Sequence, residues 1–294
     1  MKHLSLLLIL CVFFSCNGQS RSGTHNSQQS VKALSEVRYS QEDITLFESI
    51  IDSLKAYKSL PMSELVIKTA KFMLGTPYVA GTLEIDPEML TINLTKTDCI
   101  LFVEMCLALS QTAKSDNPTF EVYCGNIKQL RYRQGIVDGY SSRLHYTSSW
   151  IIQASGRGVL KEISQEIGGV QLNQQFSFMS THPDSYRLLK SDPEMVARIR
   201  KTEETLNGYK YFYIPKTDLP SHINLIRDGD IICFNSAVKG LDIAHVAYAY
   251  WDNGVLTFIH ASSSEMKVVI NAIPLVEYTN GIKSHNGLRI LRLL

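Results

Sequence analysis

DIAHVAYAYWDNGVLTFIHA, residues 242–261, decides how this chain folds. Two strand-like runs flank Asn253-Gly254, the pair preferred in a two-residue type I′ hairpin, where both loop positions need positive φ. With these two as the loop, Asp252 faces Val255. Counting outward, Ala247 faces His260. His245 then shares a sheet face with His260 on a diagonal, close enough for one imidazole to orient the other. Ala247 and Ala249 lie on the same face and leave room above it. A three-residue loop would set His260 opposite Val246, on the other face, so the register is a specific expectation.

Further strand-like runs surround this hairpin: YKYFYIP (209–215), DIICFNS (230–236), MKVVI (266–270) and LRILRL (288–293). The first half of the chain reads differently. Apolar residues recur at helical spacing over 41–73, broken at Pro61. Helices are predicted from Asp98 to about Ser110, from about Thr119 to Arg133, and over 192–207. Gly75-Thr76-Pro77-Tyr78 is a turn. TLEI (82–85), TINL (91–94) and QFSFMS (175–180) read as short strands. Helices first and strands last, without regular alternation, imply an α+β domain with an antiparallel sheet.

The chain has 294 residues, 45% of them hydrophobic, enough for one large core or two modest ones. Its net charge of +1 gives no global basic field for nucleic acid. The N-terminus MKHLSLLLILCVFFSC carries an apolar run too short to span a bilayer and reads as a signal peptide over 1–15. Phe14-Ser15-Cys16 resembles a relaxed bacterial lipobox, with Cys16 as the lipidated residue. Residues 16–40 read as a flexible tether, and 41–294 as the folded domain. The chain is thus expected to be an exported lipoprotein facing the periplasm, touching membrane only through its anchor.

Four cysteines remain. Cys106, Cys124 and Cys233 sit in apolar contexts and read as small buried hydrophobes. Cys99 differs. In TDCILFVEMCLAL (97–109), Asp98 or Thr97 can cap the helix, leaving Cys99 in the first turn of an almost wholly apolar helix. There it meets the positive end of the helix dipole and unpaired N–H groups, which favour thiolate. The same N–H groups suit an oxyanion once sulfur has attacked a carbonyl. A thiolate needs an imidazole partner, and His245 and His260 are the histidines placed to supply it.

Gly75-Thr76-Pro77-Tyr78, Asp98-Cys99, Gly229-Asp230, His245-Val246 and His260-Ala261 together resemble the NlpC-type papain-like cell-wall hydrolases, over roughly residues 65–262. The resemblance implies a papain-like fold: an antiparallel sheet or partial barrel packed on the helix that carries the nucleophile. It implies Cys99 as nucleophile, His245 as base and acid, His260 as orienting residue and Tyr78 as a site-lining oxyanion donor. No cofactor or metal is implied. Two departures stand out. Ile100 and Leu101 follow Cys99 where common members have small residues, and residues 134–215 resemble an insertion. Both look more like the branch described as N-acetylmuramoyl-L-alanine amidase-like. That branch cuts between muramic acid and the first alanine of the stem peptide, which makes peptidoglycan or soluble muropeptides the expected partner of a monomeric enzyme.

The stretch GYSSRLHYTSSW (139–150) is dense in binding chemistry. Arg143 suits a carboxylate, Tyr146 and Trp150 suit a sugar face, and Ser141, Ser142 and His145 can hydrogen-bond. With Asp98 they form the expected substrate-binding set. Arg131 and Arg133 read as a solvated helix face. Three other readings stay open: a γ-D-glutamyl–diamino acid endopeptidase with the same catalytic residues, a non-catalytic cell-wall binding module, and a zinc hydrolase ligated by Cys99, His245 and His260.

Overall fold

The computed structural model describes residues 34–294, and the compact unit within them runs from Glu36 to Leu294. The stretch expected to be a signal peptide, the expected lipidation site Cys16 and most of the expected tether lie outside the described residues. Residues 37 and 38, expected in the tether, form strand β1 (Val37–Arg38). Helix α1 (Gln41–Leu54) follows at once. Ser40 caps it, and the Asp43 carboxylate completes a capping box. The other Asp43 oxygen accepts from Leu94 N–H at 2.7 Å, tying this helix to the loop that leads toward Cys99.

The remaining elements in chain order are α2 (Met62–Phe72), β2 (Leu90–Thr91), α3 (Cys99–Lys114), α4 (Phe120–Arg131), α5 (Thr147–Gly156), β3 (Leu160–Glu162), β4 (Val170–Leu172), α6 (Phe178–Thr181), α7 (Pro193–Leu206), β5 (Tyr211–Pro215), β6 (Ile231–Ser236), β7 (Ile243–Asp252), β8 (Val255–Ser262), β9 (Lys267–Ile270), α8 (Leu275–Gly281) and β10 (His285–Leu293). Two expected strands are absent. TLEI lies in turns, and QFSFMS contains α6. Both are short, and each is bounded by breakers or by tertiary contacts that outweigh weak β-propensity. Of TINL, only Thr91 is in a strand, parallel to β1.

β3 to β10 make one antiparallel sheet in the order β4-β5-β10-β6-β7-β8-β9, with β3 on β10. Three of its strands come from residues 134–215. A buried ion pair fastens that stretch to the sheet. Arg289 donates to both carboxylate oxygens of Glu162 at 2.7 and 2.9 Å, and to Ser148 Oγ at 2.7 Å.

The hairpin has the expected loop. Asn253 and Gly254 take φ of 49° and 85°, and Asp252 pairs with Val255. The ladder runs in that register to Tyr248–Ile259, one step short of the expected Ala247–His260 pair. α3 lies against this ribbon. Its apolar residues are buried on nearly every side, the Phe102 ring meets Tyr248 edge-on at 6.0 Å, and Tyr248 Oη donates to Val103 O at 2.8 Å. Gly229 explains its own position. It adopts φ 79°, and a Cβ there would sit 2.2 Å from Ser63 O, so only glycine lets β6 approach α2. Asp230 beside it is buried, accepting from Arg227 N–H and paired with Arg292 at 2.8 Å. The Gly-Asp pair is therefore a structural corner. Among the described residues no helix is long and apolar enough to cross a membrane.

Candidate active site

Asp98 is the helix cap. Its carboxylate accepts from Leu101 N–H at 3.0 Å, and Cys99 opens α3 half-buried. The Gly75–Tyr78 turn is stitched to both sides of this point. Tyr78 N–H donates to Met266 O at 2.9 Å, and Val79 N–H and Thr97 N–H bond across the turn to Thr97 O and Pro77 O at 2.9 Å. Tyr78 thus stands beside Asp98 and Cys99. Burial, then the neighbouring Cys99 and Asp98, raise its phenol pKa, so it remains a donor.

From the ribbon, His245 Nε2 and His260 Nδ1 meet at 2.8 Å, with ring centroids 5.0 Å apart and planes nearly perpendicular. The next residue, Val246, presents its backbone N–H to the Cys99 thiol. The structure therefore sets Cys99 beside Tyr78 and the Val246 N–H, and sets His245 against His260 on the same ribbon. If His245 uses Nδ1 as base, its Nε2–H donates to His260 Nδ1, which places the His260 proton on Nε2. That atom is buried without a hydrogen-bond partner, among the rings of Phe258 and Tyr278. The two facing nitrogens are engaged with each other, which leaves them unsuited to share an ion. Among the described residues no three His, Cys, Asp or Glu side chains converge to hold a metal.

The electrostatics at the sulfur run against the direction expected from the dipole. Burial pushes the Cys99 thiol up to about 12, and the Asp98 carboxylate pushes the same way, outweighing the backbone N–H groups that lower it. Burial pulls His245 down to about 3 and His260 to about 4. Both shifts favour neutral thiol and neutral imidazole over the thiolate expected from the dipole. The residue that caps the helix also opposes ionisation of the sulfur. Asp98→Asn keeps a competent cap and removes the charge. We expect the thiol pKa to fall by about one unit and iodoacetamide to alkylate Cys99 about tenfold faster at neutral pH. An unchanged rate, followed by mass spectrometry, would show that burial alone sets the pKa.

The 139–150 stretch divides. Trp150 and Tyr146 are 1% and 3% exposed, so neither ring is a sugar platform. Tyr146 Oη instead donates to Glu203 at 2.7 Å. Arg143 is buried, donating to Glu84 at 2.9 Å with Glu88 3.3 Å away, and His145 Nε2 lies 2.8 Å from Tyr140 O. Arg143 and His145, with Asp98, Glu84, Glu104 and Arg131, line a cavity of about 240 Å³ whose wall includes Ile100 and Leu101, directly beyond Cys99. Ser141 and Ser142 open onto a different, larger cleft. Arg131 is not solvated. It is 6% exposed, paired with Glu104 at 2.8 Å, and donates to Thr91 O at 2.6 Å.

Two residues at the site carried no sequence signal. Tyr278, half-buried on α8, packs against His260 and Phe258. Burial, with the Cys99 sulfur as the second cause, raises its phenol pKa. His285 contacts Phe234, which in turn contacts His245. Cys106, Cys124 and Cys233 are buried free thiols, as their apolar contexts imply.

A family described as N-acetylmuramoyl-L-alanine amidase-like matches residues 68–287. A crystal structure of an N-acetylmuramoyl-L-alanine amidase from Bacteroides uniformis is 36% identical, with a TM-score of 0.76, covering 79% of this chain and 99% of that one. A Bacteroides fragilis protein named as a candidate xylanase is 39% identical, with a TM-score of 0.74, covering 77% and 100%. A Legionella pneumophila protein shares the fold at 23% identity, with a TM-score of 0.63, covering 85% and 95%. No curated protein matches.

Proposed function

Since this chain belongs to the N-acetylmuramoyl-L-alanine amidase-like family, we propose that it hydrolyses the amide joining the lactyl group of N-acetylmuramic acid to L-alanine of the stem peptide. Cys99 is the nucleophile, in a papain-like arrangement of helix and ribbon. The observation that carries this reading is the contact of His245 Nε2 with His260 Nδ1 at 2.8 Å, on the ribbon whose Val246 N–H reaches the Cys99 thiol. It leaves His245 Nδ1 as the free base.

The chemistry is acyl transfer. The Cys99 thiol gives its proton to His245 as sulfur bonds to the lactyl carbonyl carbon. Helix-terminal N–H groups and the Tyr78 hydroxyl stabilise the oxyanion. His245 passes its proton to the alanine nitrogen, the C–N bond breaks, and the stem peptide leaves as an amine. Water, deprotonated by His245, attacks the thioester. The S–C bond breaks, the proton returns to sulfur, and the muramic carboxylic acid departs. A neutral resting pair suits this sequence, because proton transfer within it adds no net charge to the site.

A xylanase, the activity in the name of the Bacteroides fragilis relative, works through two carboxyl groups flanking a glycosidic bond. The centre here is a thiol and two imidazoles. Digesting purified muropeptides and weighing the products tests the proposal. Release of an intact stem peptide is expected. A freed dipeptide would assign a γ-D-glutamyl endopeptidase, and cleaved sugar linkages a glycosidase.

A further inference from the structure

A cleft of about 500 Å³ lies away from the catalytic residues and is lined by none of them. Its lining comes from the loop of residues 133–142, the first turn of α5 and one face of α7. On α7, Arg198, Lys201, Thr202 and Thr205 follow the i, i+3, i+4, i+7 spacing that aligns them on a single face. Arg133 reaches in from the loop. The three cations are exposed and have no ion-pair partner among the described residues, and Asp138 is the one acidic residue of the described lining. The contrast with Arg131 and Arg143 is informative. These bracket the same loop, yet glutamates neutralise both.

A second observation points to a ligand. Ser149, 5% exposed, lines the cleft with an Oγ that finds no hydrogen-bond partner. Unpaired buried hydroxyls are costly, and this one belongs to a residue of the same lining as the three cations. The loop is also built to hold its shape. Gln134 and Gly135 both take positive φ, and the Gln153 side chain accepts from Gln134 N–H and donates to Gln129 O and Tyr132 O.

The cleft is mechanically joined to the catalytic site. Tyr132 pairs with Arg143 at the base of the loop, and Arg143 and Arg131 line the cavity beside Asp98. Ser149 belongs to the first turn of α5, whose Ser148 N–H donates to Asp242 at 2.7 Å, three residues before His245.

We propose that this cleft is a second binding site, which takes the carboxylates of an acidic stem peptide at a distance from the bond being cut. It rests on the peptidoglycan reading. Oxyanions suit unpaired guanidinium and ammonium groups together with hydroxyl donors, and the free carboxylates of a stem peptide present such groups in series.

The test uses the full chain carrying Cys99→Ala, so that ligand survives, titrated with a purified soluble muropeptide by calorimetry. Adding Arg198→Ala and Lys201→Ala is expected to weaken binding about tenfold at low salt, with the difference shrinking as salt rises. Arg200→Ala, outside the cleft lining, should change nothing. Muropeptide with amidated carboxylates should lose the same tenfold, and millimolar inorganic phosphate should compete weakly. Equal affinity in the double variant overturns the proposal, as does an equal loss from Arg200→Ala. Phosphate that competes as well as carboxylated peptide overturns the carboxylate assignment. Wild-type turnover of the same muropeptide, measured alongside, separates the two readings. Turnover with unchanged binding in the double variant sinks only the cleft, whereas no turnover and no binding sinks both.

Discussion

Cys99→Ala is expected to lower kcat/KM for muropeptide cleavage by at least about 10⁴-fold, the scale on which removing a nucleophile acts. The loss should be confined to chemistry. Cys99 is the first residue of α3, half-buried, and lies outside the fully buried run that begins at Leu101. The Asp98 cap bonds Leu101 and does not depend on the sulfur. The unfolding midpoint should therefore match wild type, and ligand should still bind. Cys106→Ala is the informative contrast. That thiol is fully buried two turns along the same helix, so its loss should cost stability and leave the catalytic rate largely intact. Steady-state kinetics beside urea unfolding distinguishes the two patterns. Cys99→Ala activity within tenfold of wild type would remove the sulfur from the mechanism.

The second large effect belongs to the imidazole pair. His245→Ala should cost about 10³-fold or more in kcat, because the proton must both leave sulfur and reach the departing amine through this ring. His260→Ala should cost about 10²-fold, since His260 acts through His245: its Nδ1 accepts the Nε2–H that keeps Nδ1 of His245 free. His260→Asn puts an amide oxygen near the position of Nδ1 and should restore much of that loss. A residue serving only to fill space would show no such rescue. The discriminating readout is the kcat ratio of the Asn and Ala variants, with KM unchanged. Equal rates for the two would reduce His260 to packing.

What the sequence made legible was local chemistry. Asn253-Gly254 announces its turn because few other pairs accept two positive φ values in succession, and the hairpin register follows from it. Asp98 announces a helix start because a carboxylate there satisfies an orphan N–H. Errors came where a partner distant in sequence decides the outcome. Arg131 looks like a surface residue until Glu104, 27 positions earlier on α3, is packed against it. Trp150 and Tyr146 look like a sugar platform because aromatic density serves cores and binding sites alike, and here a core absorbed them. Tyr278 and His285 belong to elements with no motif, and only tertiary packing brings Tyr278 of α8 against His260 and His285 of β10 against Tyr278. The thiol is the subtlest case. A helix start favours ionisation, but burial and the capping carboxylate act against the dipole at the same atom.

The central claim concerns which acyl group rests on which atom. Wild-type protein mixed with muropeptide and quenched in acid within milliseconds should carry a covalent adduct, read by intact-protein mass and placed by peptide mapping. The account predicts an N-acetylmuramoyl thioester on Cys99, absent from Cys99→Ala. An adduct containing L-alanine and glutamate residues without the sugar, or a modified residue other than Cys99, would contradict it.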